Sequence, residues 1–171
     1  LPIINAIVAL VPEDQVSSLG ALAGVVRVTP DRSVALSSDS GISGAKASPQ
    51  IAFTNVVGAD EVWAEGNLGE GITVAVLDTG IDPRLAELRK TAHSGGGRIL
   101  AYYDAINEQV YDESSLNKSP GDPSGHGSHV AGIIGNGSYD PRNDAYRGIA
   151  PAVSFVAVRV LNEEGAGTYG D

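Results

Sequence analysis

Cysteine is absent from the 171 residues. That removes disulfides, thiolate metal sites and cysteine nucleophiles, and it leaves the compartment open. Basic residues are scarce: 11 Lys and Arg stand against 21 Asp and Glu, for a net charge of -10. Nucleic acid is thereby excluded as a partner, because phosphate binding needs a basic surface. There is no membrane segment either. The apolar residues 1–12 are too few to span a bilayer and lack the basic flank of an export signal, so they read as a strand. Any export signal is expected upstream of them. Histidine is also rare, yet two of the three, His126 and His129, fall in one stretch, S-G-H-G-S-H-V-A-G-I-I-G at 124–135.

The remaining composition is ordinary. Hydrophobic residues make up 42% and mean hydropathy is +0.00, which suits one soluble domain or parts of two. Residues 2–10 form a β-type run. Pro12 with Glu13 and Asp14 suits a helix start, Val16, Leu19 and Leu22 recur at helical spacing, and Gly24 is a stop. Residues 25–29 are strand-like. This predicts a β-α-β unit of about 35 residues, too small to be very stable alone. The Ser- and Gly-rich residues 37–49 read as a linker, an exposed cleavage region or a long surface loop.

A second unit starts near Val56. Asp60 is placed to cap a helix running to Glu65, with Trp63 as its anchor and Gly66 as its stop. Residues 72–77 form a nearly continuous apolar run, the mark of an interior parallel strand covered on both faces. Residues 98–103 and 153–160 are further strands, while 104–123 and 136–147 are polar loops. The expected fold is α/β, a parallel sheet with helices on both faces, preceded by a partial α+β unit. The expected divisions are 1–36, 37–55 and 56–171.

In such sheets sites gather at the carboxyl ends of strands. Asp78 ends the run 72–77, and His126 opens a helix whose Val130, Ile133 and Ile134 give it an apolar face. The glycines around His126 imply that this backbone approaches something closely. A carboxylate that accepts the imidazole Nδ1 proton fixes the tautomer and leaves Nε2 as a base. Other chemistries fit less well. His126 and His129, with Asp78 or Asp122, could ligate a metal, but the zinc-protease pattern needs histidines four apart with a glutamate between. The D-T-G at 78–80 is single, whereas aspartic proteases pair two such aspartates. The alternative is a non-catalytic binding module, an inhibitor formed by residues 1–36 or a nucleotide-binding sheet. Against the last, Gly69 and Gly71 precede the strand that a dinucleotide motif should follow. His93, beside Ser94 and three glycines, reads as solvated.

V-A-V-L-D-T-G-I-D around Asp78 and G-H-G-S-H-V-A-G around His126 resemble the aspartate and histidine motifs of the subtilisin-like serine proteases, in that family's order. The resemblance continues through Y-R-G-I-A-P at 146–151 and covers residues 56 to 171. The upstream unit resembles the end of that family's propeptide, a folding chaperone and inhibitor. The resemblance implies that Asp78 orients His126, the general base, and that His129 is structural. It implies that Gly165, Ala166 and Gly167 pair with the backbone of polypeptide substrates by strand addition. Ser128 stands where threonine is commoner, with little effect expected. No cofactor is required for catalysis. Calcium is left unassigned: Glu87 sits where the family places a calcium-ligating acid, but the loop after Gly135 departs from the pattern and carries Asp140, Asn143 and Asp144.

The family's nucleophilic serine and oxyanion asparagine lie further downstream and are absent here. After His126 the serines are 128, 138 and 154, and Ser128 is about 200° around the helix from His126. The chain is therefore read as an N-terminal fragment of a secreted, extracellular serine endopeptidase precursor. Its own propeptide would serve as intramolecular inhibitor, and the piece itself is expected to be inactive.

Overall fold

Residues 6–36, 53–89, 97–168 and 170 are described in the computed structural model of the chain. After Pro12 a 3-10 turn, Glu13–Gln15, runs into a single helical turn, α1 (Val16–Leu19). Strand β1 (Ser33–Ala35) follows. Helices α2 (Phe53–Val56) and α3 (Ala59–Ala64) lead to β2 (Thr73–Asp78) and α4 (Ala86–Arg89). Then come β3 (Ile99–Asp104), β4 (Gln109–Asp112) and α5 (His126–Gly135). A two-residue ladder of β5 (Tyr139–Asp140) and β6 (Ala145–Tyr146) precedes β7 (Ser154–Arg159) and β8 (Ala166–Thr168).

The two apolar runs become the sheet's interior. Its order is β2-β7-β3-β4, with β7 parallel to both β2 and β3 and β4 antiparallel at the edge. Side chains alternate across a pleated strand, so each row of register partners belongs to one face. Val76, Ala157 and Tyr102 share a row and are buried. That face is covered by α4 and α5, and Ile81, Leu88, Ala131, Val153 and Phe155 complete its core. Burying Ile81, Leu88 and Phe155 contributes roughly 1.5–3 kcal/mol each.

The fold is the expected α/β one, and among the described residues the opposite face of the sheet is open. Leu77, Tyr103 and Val110 are 64%, 39% and 73% exposed. Both α4 and α5 pack into one core, so among the described residues the other face has no helical cover.

Among the described residues the expected β-α-β unit is not formed. Neither 6–10 nor 25–29 is a strand, and Ile7, Leu10 and Val26 are almost fully exposed. A strand needs a paired edge to satisfy its backbone groups, and among the described residues neither segment joins a sheet. The helix stops at Leu19, because exposed Leu22 has no apolar surface to hold a further turn. Instead the strand of this region is β1, whose partner is β8, with Val34 opposite Gly167 and Ala35 opposite Ala166. The polar stretch 104–123 contains β4 and a 3-10 turn, Leu116–Lys118, and 136–147 contains the β5–β6 ladder. Residues 2–5, the segment 37–49 and His93 lie outside the described residues.

Helix α3 forms nearly as expected, with Gly58 rather than Asp60 at its cap and Gly66 turning the chain at φ 83°. Half-buried Trp63 anchors it, donating Nε1–H to the Ile149 carbonyl at 2.8 Å and meeting Tyr146 edge-on.

Candidate active site

Asp78 is the last residue of β2 and His126 the first of α5. Their side chains meet: His126 Nδ1 lies 2.8 Å from Asp78 Oδ1 and 2.9 Å from Oδ2. The Asp78 side chain is 11% exposed, the imidazole 43%. A nearly dry carboxylate thus holds a ring that solvent can reach. Asp78 Oδ1 also accepts the Thr79 N–H at 2.7 Å, which fixes the carboxylate's orientation.

Two residues that the sequence reading did not assign to this pair hold the start of α5 against β2. The Asp122 carboxylate accepts from the Gly125 N–H (2.9 Å), the Ser128 N–H (2.7 Å) and the Thr79 hydroxyl (2.7 Å). The Thr79 oxygen in turn accepts the Gly127 N–H at 3.0 Å. Three amides at the start of the helix, those of Gly125, Gly127 and Ser128, are thereby satisfied, and a negative charge sits at the positive end of the helix dipole. A carboxylate three residues before a glycine-led helix was a legible signal for this role. The buried Tyr102 hydroxyl steadies the approach, donating to the Gly121 carbonyl at 2.7 Å. Burial raises its pKa above the ordinary tyrosine value.

The expected close approach is real at Gly127, where an added Cβ would stand 2.1 Å from the Gly80 carbonyl and 3.1 Å from Asp78 Cβ. Gly135 is similarly confined by Phe155 and Val153, while Gly132 has open space around it. Ser128 is committed elsewhere, its hydroxyl accepting the Asp82 N–H at 2.9 Å.

A third charge sits close by. Arg159 is the register partner of Asp78 on one side and of Asp104 on the other. Its Nη1 lies 3.2 Å from both Asp104 oxygens. Asp104 thus engages Arg159 Nη1, leaving Asp78 to the imidazole, while the buried Arg159 Nε has no hydrogen-bond partner among the described residues. Nothing in the sequence spacing announced this pair.

Gly165, Ala166 and Gly167 lie next to the pair through the main chain. The N–H groups of Val160 and Leu161 bond the Asp78 carbonyl, and Asn162 then ties its own N–H to Ala166 O and its side chain to the Ala166 N–H. The edge they present is occupied by the chain itself: β1 pairs with it, and the Leu36 N–H bonds Gly165 O at 2.9 Å. Val34 and Leu36 are half-buried, whereas Ser33 and Ala35 are exposed. A Cβ on Gly165 would come within 2.6 Å of Leu36 Cδ1, so glycine makes the room for that leucine.

His129 is exposed on α5 and lines a separate cavity of about 940 Å³ with Ile133, Phe53 and Leu85. Among the described residues, no three His, Cys, Asp or Glu side chains converge as a metal site. Nor do the acids named for calcium. Asp140 pairs with Arg142 at 2.9 Å and Arg147 at 3.6 Å, and Asp144 accepts from the Tyr139 hydroxyl. The Arg142 guanidinium, hydrogen-bonded to Asp140, holds that carboxyl down at about 2. No helix among the described residues is long and apolar enough to cross a membrane.

Residues 69–171 match the subtilase family. The serine protease AprX of Bacillus subtilis is 37% identical over 115 residues, covering 66% of this chain and 22% of that protein. The minor extracellular protease Vpr of the same organism is 29% identical over 168 residues, 92% of this chain and 19% of Vpr. Its major intracellular serine protease is 36% identical over 115 residues, 67% of this chain and 32% of the relative. The chain therefore spans a fifth to a third of the length of these relatives.

Proposed function

The chain belongs to the subtilase family, and from that premise we propose that it carries the aspartate and histidine of a serine endopeptidase's catalytic triad. The observation that carries this reading is the 2.8 Å contact between His126 Nδ1 and the Asp78 carboxylate. Asp78 holds the tautomer in which Nε2 is free to accept a proton, and it stabilises the imidazolium that then forms. His126 Nε2 takes the proton of an attacking serine hydroxyl and returns it to the leaving amine. The serine and the oxyanion donors are not among the 171 residues, so the chain assayed alone is expected to be inactive.

The pairing of β1 with β8 supports the finer reading that residues 1–36 act as an inhibitor in cis. An extended segment whose alternate side chains, Val34 and Leu36, turn inward onto Gly165–Gly167 is laid out as a strand-added peptide substrate would be. Polypeptides with aliphatic side chains at alternate positions are the matching substrates. Secretion belongs to the same reading, supported by the extracellular relative that matches across 92% of the chain. The nucleotide-binding alternative lacks support, since Gly69 and Gly71 lie at the opposite end of β2 from Asp78.

The test is a peptidase assay and fluorophosphonate labelling of the protein with its downstream chain. In subtilisin, loss of the catalytic histidine or serine costs about 2 × 10⁶ in kcat, and His126→Ala is expected to cause a loss of similar order. Undiminished hydrolysis by that variant contradicts the proposal.

A further inference from the structure

Four main-chain carbonyls converge on one buried guanidinium. Arg98 Nη1 donates to Pro151 O and Val153 O, both at 2.9 Å. Its Nη2 donates to Glu87 O at 2.6 Å and Gly135 O at 2.8 Å. Arg98 is 2% exposed, and its guanidinium carbon lies 5.8 Å from the Phe155 ring centroid. All four acceptors are neutral. A buried charge without a carboxylate partner is expensive, so something must replace the missing counterion. The four carbonyl dipoles do so, and Gly135, the last residue of α5, adds the negative end of the helix dipole.

Convergent neutral oxygens are also what a hard divalent cation seeks. The resemblance places a calcium-ligating acid at Glu87, but Glu87 is exposed, and it is its main-chain oxygen that reaches this junction. The following loop offers no free carboxylate at Asp140, which Arg142 and Arg147 engage. The donor set therefore does not fit a calcium ion.

We propose that the Arg98 guanidinium is this chain's resident cation at that junction, tying α4, the end of α5 and the turn before β7 together in place of calcium. It fastens the far end of the helix whose near end carries His126. The Gly137 N–H bonds the same Glu87 carbonyl at 3.0 Å, and the Ile149 and Ala150 N–H groups bond Ile133 and Ile134 of α5. These amides are local reporters of the junction.

The experiment is amide hydrogen exchange of the purified protein in excess calcium and in excess EDTA. Protection of Gly137, Ile149 and Ala150 is expected to be the same in both. Arg98→Met, which keeps bulk but removes the guanidinium donors from the four carbonyls, should speed their exchange by roughly tenfold or more in either condition. Arg98→Lys should not restore protection, since an ammonium cannot reproduce the planar fork. Loss of protection at those amides when calcium is removed from the unmutated protein overturns the proposal, whether or not the variants fold. So does an Arg98→Met protein with unchanged exchange.

Discussion

A methyl group at position 127 has nowhere to go. It would lie 2.1 Å from the Gly80 carbonyl, a main-chain atom that cannot swing aside, and 3.2 Å from Asp78 Oδ1. Gly127→Ala is expected to cost about 1–3 kcal/mol by overpacking and to push the start of α5 off β2. Urea denaturation reads the loss directly, and an unchanged midpoint would show the helix to be freer than the geometry says. Arg159 makes a different kind of demand. Asp104→Ala leaves its buried guanidinium unpaired, at a cost of about 3–5 kcal/mol, and leaves Asp78 as the neighbouring carboxylate. A crystal structure of the variant should show Arg159 turned toward Asp78 in competition with His126. Arg159 unmoved, with stability retained, would refute this. The glycine was legible because G-H-G-S-H spends helix propensity with no local return. The Arg159–Asp104 pair was not, because its 55-residue separation closes only through sheet register.

Elements were legible in proportion to how much of their cause is local. β2 and β7 announced themselves as apolar runs, and α5 by its apolar face. β4 is short, polar and at the edge, and only pairing with β3 makes it a strand. β1 is three residues of no particular pattern, while the more strand-like 25–29 remains coil. The edge with which β8 pairs β1 outweighs propensity here. The β5–β6 ladder, read as a plain polar loop, is closed by charge: Asp140 bonds both the main-chain N–H and the side chain of Arg142. This gives it a pH signature. Its folded pKa of about 2 lies below the ordinary 3.8, chiefly through the side-chain hydrogen bond from Arg142. The contribution is complete above the ordinary value and is lost as pH falls through the folded one. Carbon-detected NMR titration should therefore find Asp140 ionised at pH 3, with Arg142→Gln returning its midpoint toward 3.8. An unshifted midpoint in the unmutated chain would dissolve the pairing.

At the scale of the molecule, the described residues give the sheet one covered face and one open one. Register places Leu77, Val158, Tyr103 and Val110 side by side, an apolar row crossing all four strands. Leu77 and Val110 are more than half exposed, and the exposed Ile72 lies just before β2. The apolar run 72–77 was expected to need cover on both sides, and the composition of the strand still says so. Contiguous exposed apolar surface of this kind associates in water, and burying each such side chain yields roughly 1.5–3 kcal/mol. The 171-residue chain prepared alone should therefore bind the dye ANS and sediment with a concentration-dependent mass, despite a net charge of -10 that opposes association. Leu77→Lys with Val110→Lys places two charges in the row and should abolish both behaviours. It should leave the Asp78–His126 contact intact, because Leu77 and Asp78 point to opposite faces of β2. A wild-type chain that stays monomeric and binds no dye would mean that this face is covered in solution.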